Sequence, residues 1–332
     1  VWRTSTGTYS PSDGVDNDND TVVDNPEEFP SWEPLTDQFG SLSISDLAIS
    51  PQNTSTIYAA TGRTSAGFGD GGSAIGLLRT TDGGNNWMQV GPELIGLRIR
   101  SVVPTGQNDG GTGQEIVLAA SDSGGGGMFR SIDGGNSFTL ISGSDGSTDG
   151  LDNNADGMID EPGELNLPTG RASHLVADPA NPSRFYLGIA QLGVFRSDDI
   201  GVSWQMINGT GANSLGGLGP GNFRTELAVH NNGGVSAVYS AVIRNDVALP
   251  SPPFNPRTNR VFAIYRSTDM GANWRQMQNM PVINPGAQAG AHFAMIAHPT
   301  NPNVLFVGGD APDGSLAPPQ MTRYRAVAND GN

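Results

Sequence analysis

The sequence of 332 residues contains no cysteine and no lysine. Without cysteine the chain can form neither disulfides nor thiolate metal sites, although this absence does not select a cellular compartment. The 17 basic residues are therefore all arginine, and they face 33 acidic residues for a net charge of −16. Nucleic acid is disfavoured as a partner, because phosphate binding needs a basic face. No apolar run is long enough to cross a bilayer, so we expect no membrane span in this chain.

A helical pattern is also missing. The apolar residues form short alternating runs separated by turns, with no heptad and no helical stripe, and glycine (47) and proline (23) are abundant. Short alternating runs bounded by turn residues are typical of β-strands. We therefore predict an all-β fold.

One pattern occurs four times, with the form Ser/Thr-x-Asp-x-Gly-x-x-aromatic and an arginine just before it. The copies are RTTDGGNNW at 79–87, RSIDGGNSF at 130–138, RSDDIGVSW at 196–204 and RSTDMGANW at 266–274. The Ser/Thr and Asp side chains can hydrogen-bond the backbone of a turn. The glycine permits a positive φ, and the aromatic ring can fold back and become buried. The pattern therefore predicts a tight β-hairpin.

This pattern closely resembles the Asp-box of the BNR-repeat β-propellers, a group that includes sialidases, sortilin-type receptors, xyloglucanases and a photosystem II assembly factor. The resemblance implies a β-propeller built of four-stranded antiparallel blades. It also implies that each box lies on the outer rim of its blade, away from the central binding face. The motif is therefore informative about architecture and says little about activity.

The repeats predict a single propeller domain over residues 1–332, with about five blades and a partial blade at each end. Successive boxes lie 51, 66 and 70 residues apart. This exceeds the roughly 40–50 residues of a four-stranded blade, and insertions explain the two longer spacings. Residues 1–7 resemble a third strand with a decayed box, for which Trp32 would supply the aromatic anchor. Because both ends fall inside a blade, we expect a piece of a longer chain; alternatively, the two ends pair to close the ring.

Two acidic segments, at residues 13–28 and 145–164, are inserted into this array and hold 14 of the 33 acidic residues. DGVDNDNDTVVDNPEE at 13–28 aligns without gaps with DGLDNNADGMIDEPGE at 149–164. Oxygen ligands at alternate positions, followed by a turn, suit a hard cation of the size of Ca²⁺, as in the first half of an EF-hand loop. The predicted ligands are Asp16, Asp18, Asp20, the carbonyl of Val22, Asp24 and Glu28 in the first segment, and Asp152, Asn154, Asp156, the carbonyl of Met158, Asp160 and Glu164 in the second.

The acidic motif also resembles the calcium loops of thrombospondin type 3 repeats and dockerins, and a short bacterial surface motif associated with copper. The copper variant usually carries cysteine where Asn19 and Ala155 stand here, and carboxylates suit hard cations better than copper. Ca²⁺ is therefore the predicted ion, and a solvated acidic loop is the alternative. Gly157 lies where an EF-hand loop turns sharply. We expect the apolar pairs Val22-Val23 and Met158-Ile159 to pin the loops to the body of the domain.

Few residues are candidates for catalysis. His230 and His298 share a repeat position with Ser50 and Asp178, which favours turn capping. Other polar residues stand near the starts of first strands, where they could face the central channel: His174, His292, Arg98, Arg100, Arg171 and Arg224. A sialidase would also need a tyrosine nucleophile with an acidic partner, and none stands out. Asp46 and Glu226 are the best pair for a glycoside hydrolase, although a solvated or arginine-paired role explains each more simply.

The sequence favours a non-catalytic, calcium-stabilised binding or scaffold propeller of a larger extracellular, cell-surface or periplasmic protein. The expected partner is a protein or a polysaccharide at the cell surface. Free Ca²⁺ is plentiful outside cells, which suits weak loop sites. Two alternatives remain: a glycoside hydrolase of the xyloglucanase or sialidase-like propeller type, and an assembly factor that binds another protein.

Overall fold

Six antiparallel sheets hold nearly all the regular structure of the computed structural model, which describes residues 1–4, 23, 32–62, 72–148, 151–153, 157–160, 164–247, 258–278, 288–309 and 324–327. A two-stranded sheet pairs β1 (Trp2–Thr4) with β2 (Trp32–Pro34). Blade 1 consists of β3 (Ile44–Ile49), β4 (Ile57–Thr61), β5 (Leu77–Thr80) and β6 (Met88–Val90). Blade 2 consists of β7 (Ile99–Asn108), β8 (Glu115–Ser121), β9 (Met128–Ser131) and β10 (Thr139–Leu140).

The remaining three sheets continue the same order. Blade 3 consists of β11 (Ala172–Asp178), β12 (Asn181–Ile189), β13 (Gly193–Ser197) and β14 (Gln205–Met206). Blade 4 consists of β15 (Asn222–Asn231), β16 (Ser236–Val247), β17 (Thr258–Ser267) and β18 (Arg275–Gln276). Blade 5 consists of β19 (Ala294–Ala297), β20 (Val304–Gly308) and β21 (Tyr324–Val327). Helical turns are short: Pro92–Leu94, Gly211–Asn213 and α1 (Ala289–His292).

The blades follow one another around an axis. The first strands of consecutive blades touch: β3 contacts β7, β7 contacts β11, β11 contacts β15 and β15 contacts β19. Within each blade the strands pair in chain order, so the first strand is innermost and the fourth forms the outer edge. This is a β-propeller, and the predicted fold class is confirmed. Among the described residues, no helix has the length and apolar composition needed to cross a membrane.

The hydrophobic core is divided into four clusters, one for each contact between neighbouring blades. Tyr58 and Leu77 of blade 1 pack with Val117 and Phe138 of blade 2. The clusters at the next three contacts include, in chain order, Leu118, Leu175 and Trp204; Tyr186, Leu227 and Trp274; and Tyr239, Phe293 and Leu305. The aromatic residue of the second, third and fourth boxes thus packs against the preceding blade, because its hairpin folds back toward that blade. Burial of such rings is the main favourable contribution to packing the blades together.

The four boxes form the predicted hairpin turns with the same hydrogen bonds. In blade 2, Ser131 Oγ donates to Asp133 Oδ1 (2.7 Å) and accepts from the N–H of Gly135 (2.8 Å). Asp133 Oδ1 accepts from the N–H of Ser137 (3.0 Å). The corresponding bonds recur in the other three blades. The glycine has a positive φ in every copy, as predicted.

The arginine before each of the first three boxes reaches the box turn of the next blade, a role that the sequence did not reveal. Arg79 NH1 donates to the carbonyl of Gly134 (2.5 Å), and Arg130 Nε donates to that of Ile200 (3.0 Å). Arg196 NH1 donates to that of Met270 (2.9 Å). All three acceptors follow the box Asp and have a positive φ, which turns their carbonyls toward the preceding blade. Each such arginine therefore fastens one blade to the next.

The two-stranded sheet of β1 and β2 is the outer half of a blade that precedes blade 1. Arg3 of β1 donates to the carbonyl of Gly83 (3.5 Å) and to Asn85 Oδ1 (2.9 Å) in the turn of blade 1. This is the same turn position that Arg79 contacts in blade 2. β1 confirms the prediction that residues 1–7 begin with the third strand of a blade, and β2 is the fourth strand of that blade. The decayed box and the acidic segment between them, apart from Val23, lie outside the described residues, as does the side chain of Trp32.

Candidate functional site

A pocket of about 280 Å³ opens where the inner strands of blades 1 to 4 begin. We call it the axial pocket. It is lined by five charged or ionisable side chains, which are Asp46, Arg100, His174, Arg224 and Glu226, together with Ser45, Ser101, Ser173, Leu175 and Ala291. The sequence offered Arg100, His174 and Arg224 as channel candidates and Asp46 and Glu226 as a carboxylate pair, and the fold brings the five together.

Three of these residues hold neighbouring blades in register. Asp46 Oδ2 accepts a hydrogen bond from the N–H of Val102 (2.8 Å), and Ser101 Oγ accepts one from the N–H of Leu175 (3.2 Å). His174 Nδ1 accepts one from the N–H of Leu227 (3.0 Å). These side chains occupy the same position in β3, β7 and β11, and in each case the donor lies one position further along the next blade's first strand. Asp46 and His174 therefore tether blades, which leaves fewer lone pairs for catalysis.

Glu226 occupies the same position in blade 4 but has a different partner. Its Oε2 forms an ion pair with Arg224 NH2, and its Oε1 lies 3.7 Å from His174 Nε2. Because His174 Nδ1 accepts a hydrogen bond, the proton of the neutral ring is on Nε2 and faces this carboxylate. Glu226 and Arg224 are both buried, at 4% and 7% exposed. The expected arginine pairing of Glu226 is confirmed, whereas neither it nor Asp46 is a fully solvated rim residue.

Arg100 and Arg224 converge on one loop of blade 5. Arg100 NH2 donates to the carbonyl of Gly290 (3.1 Å), and Arg224 NH1 donates to the carbonyls of Ala289 (3.1 Å) and Gly290 (3.2 Å). Burial lowers the pKa of Arg100, and the nearby positive charge of Arg224 lowers it further. Burial also raises the pKa of Asp46, against the effect of its hydrogen bond from Val102. The pocket floor is thus charged, buried and largely satisfied by its own groups.

Three arginines surround one carboxylate beside this pocket. Asp122 Oδ1 lies 3.0 Å from Arg98 Nε, and its Oδ2 lies 2.9 Å from Arg100 Nε and 3.8 Å from Arg171 NH2. Arg98 and Arg171 keep 41% and 45% of their side-chain surface exposed, whereas Asp122 keeps 7%. We call Arg98 and Arg171 the arginine rim. Arg98 also lines a second pocket of about 570 Å³, together with Ser123 and the backbone of glycines 72, 96 and 124.

His230 and His298, which lie outside the axial pocket, have structural roles. His298 Nδ1 accepts hydrogen bonds from the N–H groups of Thr300 (3.1 Å) and Asn301 (3.2 Å), which confirms the predicted turn capping. His230 differs, because its Nδ1 contacts the carbonyl of His298 (2.7 Å) and so links blades 4 and 5. His292 lies in α1, but its side chain is outside the described part of the structure.

Most predicted cation ligands lie outside the described residues. These are Asp16, Asp18, Asp20, Val22, Asp24, Glu28, Asn154 and Asp156. Of the others, Asp152 Oδ2 accepts from the N–H of Gly157 (2.9 Å), and Gly157 has the predicted positive φ of 96°. Glu164 is 3% exposed; its Oε1 accepts from the N–H of Asn153 (2.6 Å). Its Oε2 is buried without a hydrogen-bond partner among the described residues. A buried carboxylate oxygen in this state fits a cation ligand.

The expected apolar anchoring of the acidic segments is wrong for Val23, Met158 and Ile159, whereas Val22 lies outside the described residues. Met158 and Ile159 are 58% and 63% exposed, and Val23 is 52% exposed, so these side chains do not pack on the domain. The second segment is attached instead by amides next to the third box. Asn153 Nδ2 donates to the carbonyl of Trp204 (2.7 Å), and Asn166 Oδ1 accepts from the N–H of Trp204 (3.0 Å). Polar bonds to the backbone replace the predicted apolar contact.

No protein-family model and no curated protein matches the sequence. Solved structures do match. One is YCF48 from Cyanidioschyzon merolae, with 11% identity over 89% of this chain and 74% of that chain and a TM-score of 0.45. Another is YCF48 bound to D1 peptide, with 14% identity over 82% of this chain and 77% of that chain and a TM-score of 0.33.

Proposed function

We propose that the chain is a non-catalytic binding propeller that holds a carboxylate-bearing segment of another protein at the arginine rim. The observation that supports this most directly is the unequal charge around Asp122, where one carboxylate faces three guanidinium groups. Two of those arginines remain partly exposed, so their unused N–H groups can reach a ligand. Arginine binds carboxylates through paired hydrogen bonds, which gives both attraction and orientation.

The surrounding charge strengthens the case for an anionic ligand. The chain as a whole carries −16, so the three arginines around Asp122 stand out as a local excess of positive charge. A complementary charge patch of this kind increases the rate of encounter and selects against partners of the wrong sign. The acids of the axial pocket support binding rather than hydrolysis, because Asp46 is engaged by backbone N–H groups and Glu226 by Arg224.

The test uses two peptides that differ only in charge, one of alternating Glu and Gly and one of alternating Gln and Gly. We expect the Glu peptide alone to bind in calorimetry, and to bind less tightly as salt is raised. Replacing both Arg98 and Arg171 with Gln should weaken binding by about tenfold or more. Arg275→Gln, at an exposed position of β18, is the matched control. Equal binding of both peptides would refute the proposal, and turnover of a glycan by the chain would favour the hydrolase instead.

We further propose that the acidic segment at 145–164 holds Ca²⁺, with Asp152, Asp160 and Glu164 among its ligands and the segment at 13–28 as a second site. The buried Oε2 of Glu164, which has no hydrogen-bond partner in the described part of the chain, and the turn at Gly157 support this. The ion would order an insertion beside the third box and take no part in ligand chemistry. Such sites suit a compartment rich in Ca²⁺, so we place the protein outside the cytoplasm as part of the same proposal.

A further inference from the structure

One backbone hydrogen bond recurs in blades 1 to 3. The residue after the second strand donates its N–H to the carbonyl of the residue before the first strand. The donors are Gly62, Asp122 and Ala190, and the acceptors are the carbonyls of Ser43, Arg98 and Arg171. Glycine and alanine make this bond as well as aspartate does, because it uses the main chain alone. The repeat therefore does not require a carboxylate at position 122, and the acid there needs another explanation.

Asp122 fixes the guanidinium groups of Arg98 and Arg171 through both its side chain and its main chain. Asp122 Oδ1 accepts a hydrogen bond from Arg98 Nε (3.0 Å). The main-chain carbonyl of Asp122 accepts from Arg98 NH2 (3.3 Å) and from Arg171 Nε (2.9 Å). The two arginines come from neighbouring blades, and sharing one acceptor keeps their guanidinium groups side by side. Asp122 Oδ2 accepts from Arg100 Nε (2.9 Å), which fastens the carboxylate itself to the floor of the axial pocket.

The bonds to Asp122 leave the outer nitrogens of the arginine rim available. Within the described part of the chain, Arg98 NH1 and Arg171 NH1 make no hydrogen bond. Arg171 NH2 lies 3.8 Å from Asp122 Oδ2, which is beyond hydrogen-bond distance. A carboxylate has two oxygen atoms, and each can accept a hydrogen bond from a different guanidinium group. The rim is therefore arranged so that two arginines face one ligand group together.

We propose that Asp122 is a positioning residue, which sets Arg98 and Arg171 so that they bind one carboxylate jointly. This inference rests on the proposed function and names a residue whose charge opposes that of the ligand. Arginine side chains lose much rotamer freedom when they bind, and ordering them in advance removes that cost from the binding step. The carboxylate of Asp122 also offsets the repulsion between the guanidinium groups, which would otherwise separate them. The gain from this ordering outweighs the repulsion between Asp122 and an anionic ligand.

The test replaces Asp122 in the intact chain and measures binding of the peptide of alternating Glu and Gly by calorimetry. Asp122→Asn makes the rim more positive, whereas Asp122→Glu keeps its charge and moves the carboxylate outward by one methylene. Charge alone predicts tighter binding for the first variant and unchanged binding for the second. Positioning predicts that the first weakens binding by about tenfold or more and that the second weakens it several-fold. Asp246→Asn is the matched control, because it removes an acid that pairs with Arg244 in blade 4 and should leave binding nearly unchanged.

NMR of the arginine side chains supplies a readout that does not depend on a ligand. In the free protein, the three Nε–H groups that bond to Asp122 should exchange with water more slowly than that of Arg275, which lies at an exposed position. In Asp122→Asn, the amide offers one acceptor oxygen to the Nε–H groups of Arg98 and Arg100, so at least one of them should lose its protection. Arg171 should keep its protection, because its acceptor is the main-chain carbonyl. A variant that merely unfolds releases all three groups together.

The outcomes separate this inference from the function on which it rests. Weaker binding by both Asp122 variants, with selective loss of Nε–H protection, supports it. If Asp122→Asn or Asp122→Glu binds the Glu peptide as tightly as the wild type, the inference is overturned and the proposed function stands. Release of all three Nε–H groups with loss of cooperative thermal unfolding also overturns it, because Asp122 would then support the fold rather than the site. If the wild type binds the Glu and Gln peptides equally, the proposed function fails, and this inference fails with it.

Discussion

Arg100 and Arg224, from blades 2 and 4, both donate a hydrogen bond to the carbonyl oxygen of Gly290 before blade 5. Two like charges are held near one acceptor because each also has an acid of its own, Asp122 for Arg100 and Glu226 for Arg224. The arrangement joins three blades across the axis at a point where no strand pairing connects them. Because these buried charges are costly to desolvate, the stability of the fold depends on keeping each of them paired.

Removal of the Arg224 side-chain charge should destabilise the fold strongly. Arg224→Met leaves Glu226 buried without its ion-pair partner, and breaking such a pair costs about 3–5 kcal/mol. Urea unfolding of Arg224→Met, Glu226→Gln and the double variant measures the coupling. We expect the double variant to lose less than the sum of the two single losses. Strict additivity would show that the pair does not interact, and Arg275→Met should change stability by less than about 0.5 kcal/mol.

Asp46 should make stability fall as pH rises. Burial raises its pKa above the ordinary 3.8, so the folded state favours the protonated form. The stability that this contributes is present below pH 3.8 and is lost as pH rises through the raised value. Asp46→Asn should lack that dependence. We expect the wild-type chain to lose stability relative to Asp46→Asn as the pH rises above 3.8 in urea titrations. A difference that does not change with pH would contradict the assignment.

The first box should show the opposite dependence. Hydrogen bonds from the backbone and side chain of Asn86 and from Thr80 lower the pKa of Asp82 to about 2. A lowered pKa contributes stability above the ordinary 3.8 that is lost as pH falls toward about 2. Asp82→Asn should therefore approach the wild-type stability as the solution is acidified over that range. If the gap between the two proteins stayed constant down to pH 2, the carboxylate would not be the acceptor that the turn requires.

Local sequence patterns predicted the strands and turns of the fold, but they did not predict the contacts between blades. The box motifs were enough to predict the turns, because the hydrogen bonds among Ser131, Asp133 and Gly135 join residues only a few positions apart. The tether from His174 to Leu227 spans 53 residues, and no local pattern encodes it. Asp122 was missed for the same reason, although the three arginines that surround it, Arg98, Arg100 and Arg171, were noticed. The sequence did contain one signal of the contacts between blades. Asp46, Ser101 and His174 stand at the same repeat position, which favours a structural role over a catalytic one.

Met270, the residue before the glycine of the fourth box, has a left-handed backbone conformation, so replacing it measures how much backbone strain in the turn lowers stability. Met270 has a φ of 61°, a region that costs a residue with a side chain about 1–2 kcal/mol, whereas the first two boxes have glycine there. Met270→Gly should therefore raise the free energy of unfolding by up to about 1 kcal/mol, after the loss of its partly exposed side chain is subtracted. Thermal unfolding would measure it, and a clear loss of stability would show that the Met270 side chain contributes more than the strain costs.

Calcium should stabilise the chain through Glu164. If the folded state alone binds the ion, stability rises by about 2.7 kcal/mol when free Ca²⁺ is 100-fold above its dissociation constant. Glu164→Gln keeps the shape of the side chain but removes the charge, and Asp152→Asn does the same at the start of the motif. Each should reduce the calcium-induced rise in melting temperature. Asp145→Asn should not, because Asp145 lies before the motif and accepts a hydrogen bond from the N–H of Ser147.

Calorimetry with Ca²⁺, Mg²⁺ and Cu²⁺ then identifies the ion. Unchanged Ca²⁺ binding in the Asp152→Asn, Glu164→Gln double variant would exclude the second segment, and any remaining binding would have to come from the first.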